Sequence, residues 1–193
     1  MMGGVPLNIP NAITLLRIVL IPIFVIAFFL PDFDWKHILL TALFFVAGIS
    51  DWFDGYLARK LQQQSAFGAF LDPVADKLMV SIAMILLVSA HPGIWMAVPA
   101  IVIIGRELAI SALREWMANL GDNNSVKVSW AGKVKTFAQL WAIGFILYEK
   151  DIGSFSPLFF GYILLYIATL LTLWSMLVYL HAAWPTLTGQ NEP

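Results

Sequence analysis

The chain has 193 residues, 60% of them hydrophobic and 12% charged, with a mean hydropathy of +0.82 and a net charge of −1. These proportions exclude an ordinary soluble protein and identify an integral membrane protein, of a length that allows one domain. With no cysteine, disulfide and thiolate chemistry are excluded, and no nucleic-acid partner is expected.

Six helices are expected, all-α, as a polytopic membrane bundle with a short N-terminal interfacial helix. Asn8 can cap a helix whose first turn accepts Pro10, and the apolar run from Asn11 to Leu30 carries Arg17 in its first half. The lead carries no basic segment or cleavage site, so no signal peptide is expected. Asp32, Asp34, Lys36 and His37 form the first loop. The second helix is expected over 38–60 and the third over 68–90, with Pro92-Gly93 turning the chain into a fourth that runs past Arg106 to about Gly121. The fifth is expected over 133–148 and the sixth over 157–181. The single domain would end at residue 184, ahead of a disordered tail over 185–193.

The uncharged runs 18–31, 38–50, 78–90, 92–105 and 136–148 each hold only thirteen or fourteen residues. At about 1.5 Å per residue, each covers some two-thirds of a hydrocarbon core of about 30 Å. Every helix must therefore bring charge into the membrane. Counted from one side, Arg17, Asp51, Asp76, Arg106 and Lys135 fall at nearly the same depth. Charges so placed are tolerated when they pair and face water, which predicts a hydrated pocket open to one side. Lys36 and Lys150 lie toward one face, and the other nine Lys and Arg residues toward the opposite one. By the positive-inside rule the pocket and both termini face the cytoplasm, placing the protein in the cytoplasmic (inner) membrane. Trp35, Trp95, Trp116, Trp130 and Trp184 stand where interfacial anchors belong.

Four carboxylates in this apolar chain require a reward for their burial. Asp51 and Asp54 are three apart and Asp72 and Asp76 four apart, so each pair shares one face of its helix. Two such faces make an oxygen-only site suited to Mg²⁺ or Mn²⁺.

The pattern D-x2-D-G-x2-A-R-x8-G-x3-D-x3-D is matched in full by Asp51, Asp54, Gly55, Ala58, Arg59, Gly68, Asp72 and Asp76. It resembles the signature of the CDP-alcohol phosphotransferases, and the likeness extends to Asn8-Ile9-Pro10-Asn11, Leu15-Leu16-Arg17, Arg106-Glu107 and Gly132-Lys133-Val134-Lys135-Thr136. The resemblance implies six transmembrane helices, a cytoplasm-facing cavity and a homodimer. It also implies transfer of the phosphatidyl group from CDP-diacylglycerol to glycerol 3-phosphate, giving phosphatidylglycerophosphate and CMP. On that basis two metal ions would sit on Asp51, Asp54, Asp72 and Asp76, with Asp76 as general base. Gly55, Ala58 and Gly68 would leave room for the cytidine nucleotide, and Arg59 would reach its phosphates. Thr14, Arg17 and Ser65 are further nucleotide candidates. Arg106 and Lys135 would clamp the acceptor phosphate, with Lys133 and Arg114 farther out.

Plainer roles compete with these. Small residues also serve close helix packing, Arg17 could snorkel to the membrane surface, and Lys135 could merely set topology. The same fold could use another acceptor, such as inositol phosphate, serine or phosphatidylglycerol. Paired aspartates also occur in membrane prenyltransferases, which would have no use for the Gly55, Ala58, Arg59 and Gly68 set. Intramembrane carboxylates could instead mark a divalent cation transporter, but then the uncharged runs should hold polar groups as well.

Overall fold

A computed structural model of the chain describes residues 9–60, 66–119 and 130–187. Six helices follow in order: α1 (Ile9–Phe29), α2 (Lys36–Lys60), α3 (Ala66–Ala90), α4 (Ile94–Asn119), α5 (Trp130–Tyr148) and α6 (Pro157–Leu187). The described residues contain no strand, only an isolated bridge between Ile152 and Phe155. Three stretches, Asn11–Phe29, Ile94–Met117 and Pro157–Trp184, are long and apolar enough to cross a membrane, and Lys36–Ser50 and Val134–Tyr148 are shorter apolar segments. The protein is a polytopic helical membrane bundle.

From Ile9 onward α1 is one continuous helix, so the expected interfacial segment and first span are not separate in the described residues, and anything ahead of Ile9 lies outside them. Pro22 sits inside α1 and Pro99 inside α4. Each removes one backbone donor, a loss that membrane helices absorb through local adjustment and neighbouring groups. α6 continues past the expected stop at His181 and takes in Pro185–Leu187, the first residues of the expected tail. Ala182 and Ala183 favour helix, and Ala183 is buried, so packing carries the helix on. Residues 188–193 lie outside the described residues.

α1 packs on α2 and α3, α4 on α3 and α6, and α5 on α2, α3 and α6. The end of the bundle with the three short connections, here the loop end, is a close-packed apolar core that includes Phe24, Phe44, Met84, Leu87, Met96 and Ile143. α5 and α6 approach closely because Gly161 lacks a side chain. A Cβ there would stand 2.6 Å from Ile146 Cγ1 and 3.1 Å from its backbone nitrogen. Outward faces carry Phe159, Ile163, Leu170, Trp174 and Leu177, which suit lipid. Trp35, Trp95, Trp116 and Trp184 are also exposed, as anchors should be.

The loop end is tied by polar contacts. Lys36 Nζ donates to the Leu30 carbonyl at 2.7 Å and to Asp32 at 3.0 Å, and Lys150 Nζ donates to the Asp34 carbonyl at 3.1 Å. These bonds fasten the α1–α2 and α5–α6 connections around a cavity of about 820 Å³. In the second connection Gly153 adopts φ +63°, a left-handed conformation that glycine takes without strain.

Candidate functional site

The opposite end holds most of the charged residues that the sequence singles out. α2 runs toward it and α3 runs back from it, and the two helices are in contact. Asp51 and Asp54 lie nine and six residues before the end of α2 at Lys60, while Asp72 and Asp76 lie six and ten residues after the start of α3 at Ala66. Both pairs therefore lie in the halves of α2 and α3 nearest that end. Of these four, the structure describes the side chain of Asp76 alone, and it is exposed. The side chains of Gly55's neighbours Ala58 and Arg59, and of Lys133, lie outside what the structure describes, as does all of Ser65. Gly68 is buried.

On α1, Thr14 and Arg17 are each only 1% exposed, and Asn11 is buried one turn earlier. A snorkelling arginine would be open to its surroundings, so Arg17 belongs to the interior. An arginine buried at this depth needs a partner. Since α1 packs on α2 and α3, Thr14 and Arg17 stand on the helix that borders the aspartate pair.

Arg106, Glu107 and Lys135 form one connected group. Glu107 Oε1 accepts from Lys135 Nζ at 2.6 Å and from Arg106 Nη1 at 3.1 Å. Neighbours on a helix do not face each other, so the second bond uses the reach of the arginine side chain. Arg106 Nη2 donates to Ser175 Oγ of α6 at 2.9 Å, and Ser175 in turn donates to the Thr172 carbonyl at 3.1 Å. Arg106 is 8% exposed and Lys135 5%, while the Glu107 side chain is 22% exposed. Arg106 Nε is buried and makes no hydrogen bond among the described residues. Lys77 Nζ donates to Ser111 Oγ, joining α3 to α4, and its charge reaches Glu107. Asp76 is near enough for its charge to act on Lys135. The acidic and basic halves of the charge layer thus meet at α3. Arg114 stands apart from this group: it is exposed, with its guanidinium 5.6 Å from the centre of the Tyr179 ring.

Two members of the group were not expected as site residues. Glu107 enters the sequence reading through the Arg106-Glu107 likeness and not as a site residue, although a carboxylate beside a buried cation is a natural hub. Ser175 went unremarked, yet Thr169, Thr172 and Ser175 recur every third residue in an otherwise apolar helix, a visible polar stripe. All three are buried, and Thr169 and Thr172 return their hydroxyls to carbonyls one turn back.

Fold and charge layer together define a polytopic membrane protein with a polar site built among its helices near one end. The chain belongs to the CDP-alcohol phosphatidyltransferase family, whose sequence profile matches residues 7–174. It is 52% identical over 190 residues to the CDP-diacylglycerol–glycerol-3-phosphate 3-phosphatidyltransferase of Pseudomonas fluorescens, covering 96% of each chain. Enzymes of the same name from Yersinia pestis (strain Pestoides F) and Salmonella typhimurium (strain LT2) are similar at 50% over 185 residues and 51% over 176. The match covers 94% of this chain and 97% of the first, and 91% of this chain and 94% of the second.

Proposed function

We propose that this protein transfers the phosphatidyl group of CDP-diacylglycerol to glycerol 3-phosphate, releasing CMP and forming phosphatidylglycerophosphate. The relatives' shared name over nearly the full chain supports the reaction, and the buried Arg106–Glu107–Lys135 group beside Asp76 supports the choice of a phosphate-bearing acceptor. A dianion suits a pocket where two buried cations share one carboxylate.

The donor set fits divalent metal: four aspartates on two helices in contact offer only oxygen, as Mg²⁺ and Mn²⁺ prefer. Asp51, Asp54, Asp72 and Asp76 would hold such ions, two in number on the family pattern. When bound, the metal neutralises the pyrophosphate and eases departure of CMP. The protein's own groups do the rest. Asp76 takes the proton from the primary hydroxyl of glycerol 3-phosphate as that oxygen forms a bond to the phosphorus bearing diacylglycerol. The bond from that phosphorus to the bridging oxygen breaks, and the electron pair leaves with CMP. Arg106 and Lys135 orient the acceptor by its phosphate, with Lys133 nearby and Arg114 at the approach. Gly55, Ala58, Arg59, Gly68, Thr14, Arg17 and Ser65 surround the nucleotide.

In this reading the charged end faces the cytoplasm, from which glycerol 3-phosphate arrives, and both termini lie there in the inner membrane. The division of Lys and Arg between the two ends supports that orientation. The homodimer enters through the family resemblance alone. Purified protein given CDP-diacylglycerol with glycerol 3-phosphate, inositol phosphate, serine and phosphatidylglycerol in competition tests the acceptor. Thin-layer analysis is expected to find phosphatidylglycerophosphate as the main product, and equal use of all four acceptors would overturn the assignment.

A further inference from the structure

We propose that Glu107 is a positioning residue for the acceptor, its Oε1 holding Arg106 and Lys135 side by side while Ser175 fixes the far side of the Arg106 guanidinium. The proposal rests on the acceptor reading above and deepens it.

One oxygen accepts from both cations, at 2.6 and 3.1 Å, so the two nitrogens can be no farther apart than the sum of those distances. A single phosphate can bridge that span with two of its oxygens. Without the shared carboxylate, the ammonium on α5 and the guanidinium on α4 would repel each other and separate. The guanidinium is held at two corners: Nη1 by Glu107 and Nη2 by Ser175. A guanidinium has five N–H donors, and these two contacts engage two of them. Nε, buried and without a partner among the described residues, is an unmet donor. Leaving it unmet costs free energy that an arriving anion would return. Nε and Nη2 share one edge of the guanidinium, the edge by which an arginine meets a phosphate in a fork.

The charges point the same way. Arg106 and Lys135 meet one carboxylate between them, and the charge of Lys77 also reaches it. Asp76, the proposed base, is near enough for its charge to act on Lys135. Glu107 therefore draws the cations together but leaves the cluster positive. Being negative itself, it would also repel an incoming phosphate. If it were only a counter-charge, removing it would tighten acceptor binding; if it positions the cations, removing it weakens binding.

The test uses purified full-length enzyme in detergent, with KM measured separately for glycerol 3-phosphate and CDP-diacylglycerol. Glu107→Gln is expected to raise KM for glycerol 3-phosphate about tenfold to a hundredfold, as loss of charge-assisted hydrogen bonds implies. KM for CDP-diacylglycerol should stay within about twofold, since no nucleotide contact is assigned to Glu107. Ser175→Ala, which changes no charge, should raise only the acceptor KM by about threefold to tenfold, with Ser175→Thr restoring it in part. An unchanged or lowered acceptor KM in Glu107→Gln, or an equal rise for both substrates in either variant, overturns the positioning role. Arg106→Ala serves as the reference. If it leaves the acceptor KM unchanged, the acceptor site itself is wrongly placed; if it raises that KM while Glu107→Gln does not, the positioning role alone fails.

Discussion

The two ends of the bundle obey different rules. At the loop end, apolar side chains interdigitate, Gly161 lets two helices close up, and the lysines spend their donors on nearby carbonyls and Asp32. At the charged end, cations outnumber the carboxylate they share and a buried guanidinium nitrogen has no partner among the described residues. Satisfied polar groups fasten a structure; polar groups left partly unsatisfied at a cost await a ligand. On the proposed reading, the difference assigns function to one end and mechanical support to the other.

The sharpest break in that contrast should come from Asp76→Asn. With the proton acceptor gone, turnover is expected to fall by a factor of about a thousand or more, while CDP-diacylglycerol still binds. Retained activity in a radiolabelled transfer assay would remove Asp76 as base. Next comes Arg106→Ala, expected to raise KM for glycerol 3-phosphate about a hundredfold with nucleotide binding preserved, since it removes a charged anchor. Weakened nucleotide binding alone would move Arg106 to the other substrate.

At the loop end the effects should be on stability only. Gly161→Ala forces a Cβ against the side chain and backbone of Ile146, and overpacking of this kind costs about 1–3 kcal/mol. Thermal unfolding in detergent should therefore come earlier, with both KM values unchanged. Altered substrate KM values would show that the two ends are mechanically coupled. The smallest effect is expected from Arg114→Ala: an exposed cation–π contact with Tyr179 is worth about 0.5–1 kcal/mol. Its acceptor KM should shift by no more than a few-fold, as the competition kinetics would register.

Most of the architecture could be read in advance because apolar run length and charge placement are direct consequences of the bilayer. The short runs required a polar layer, and the structure joins Arg106, Lys135 and Asp76 from three helices within it. The aspartate spacing predicts shared faces, and the structure places both pairs on helices that are in contact. Helix ends were less legible. Sequence marks where charge starts, whereas the helix continues as long as packing rewards it, as buried Ala183 does for α6. Glu107 and Ser175 were missed for a related reason. Spacing identifies neighbours along one helix, but a carboxylate shared between α4 and α5, or a hydroxyl offered from α6 to α4, exists only once the helices are packed. Arg17 illustrates the converse, since its position alone allowed either snorkelling or burial and only the packing of α1 decides for burial.

The most direct test is an experimental structure determined with glycerol 3-phosphate and Mn²⁺. The phosphate is expected against the Arg106 guanidinium and Lys135 Nζ, with the primary hydroxyl turned toward Asp76 and the metal on the aspartates of α2 and α3. A phosphate found instead beside Lys36 and Lys150 at the loop end, or on the nucleotide side of α2 with Arg106 and Lys135 untouched, would contradict the account.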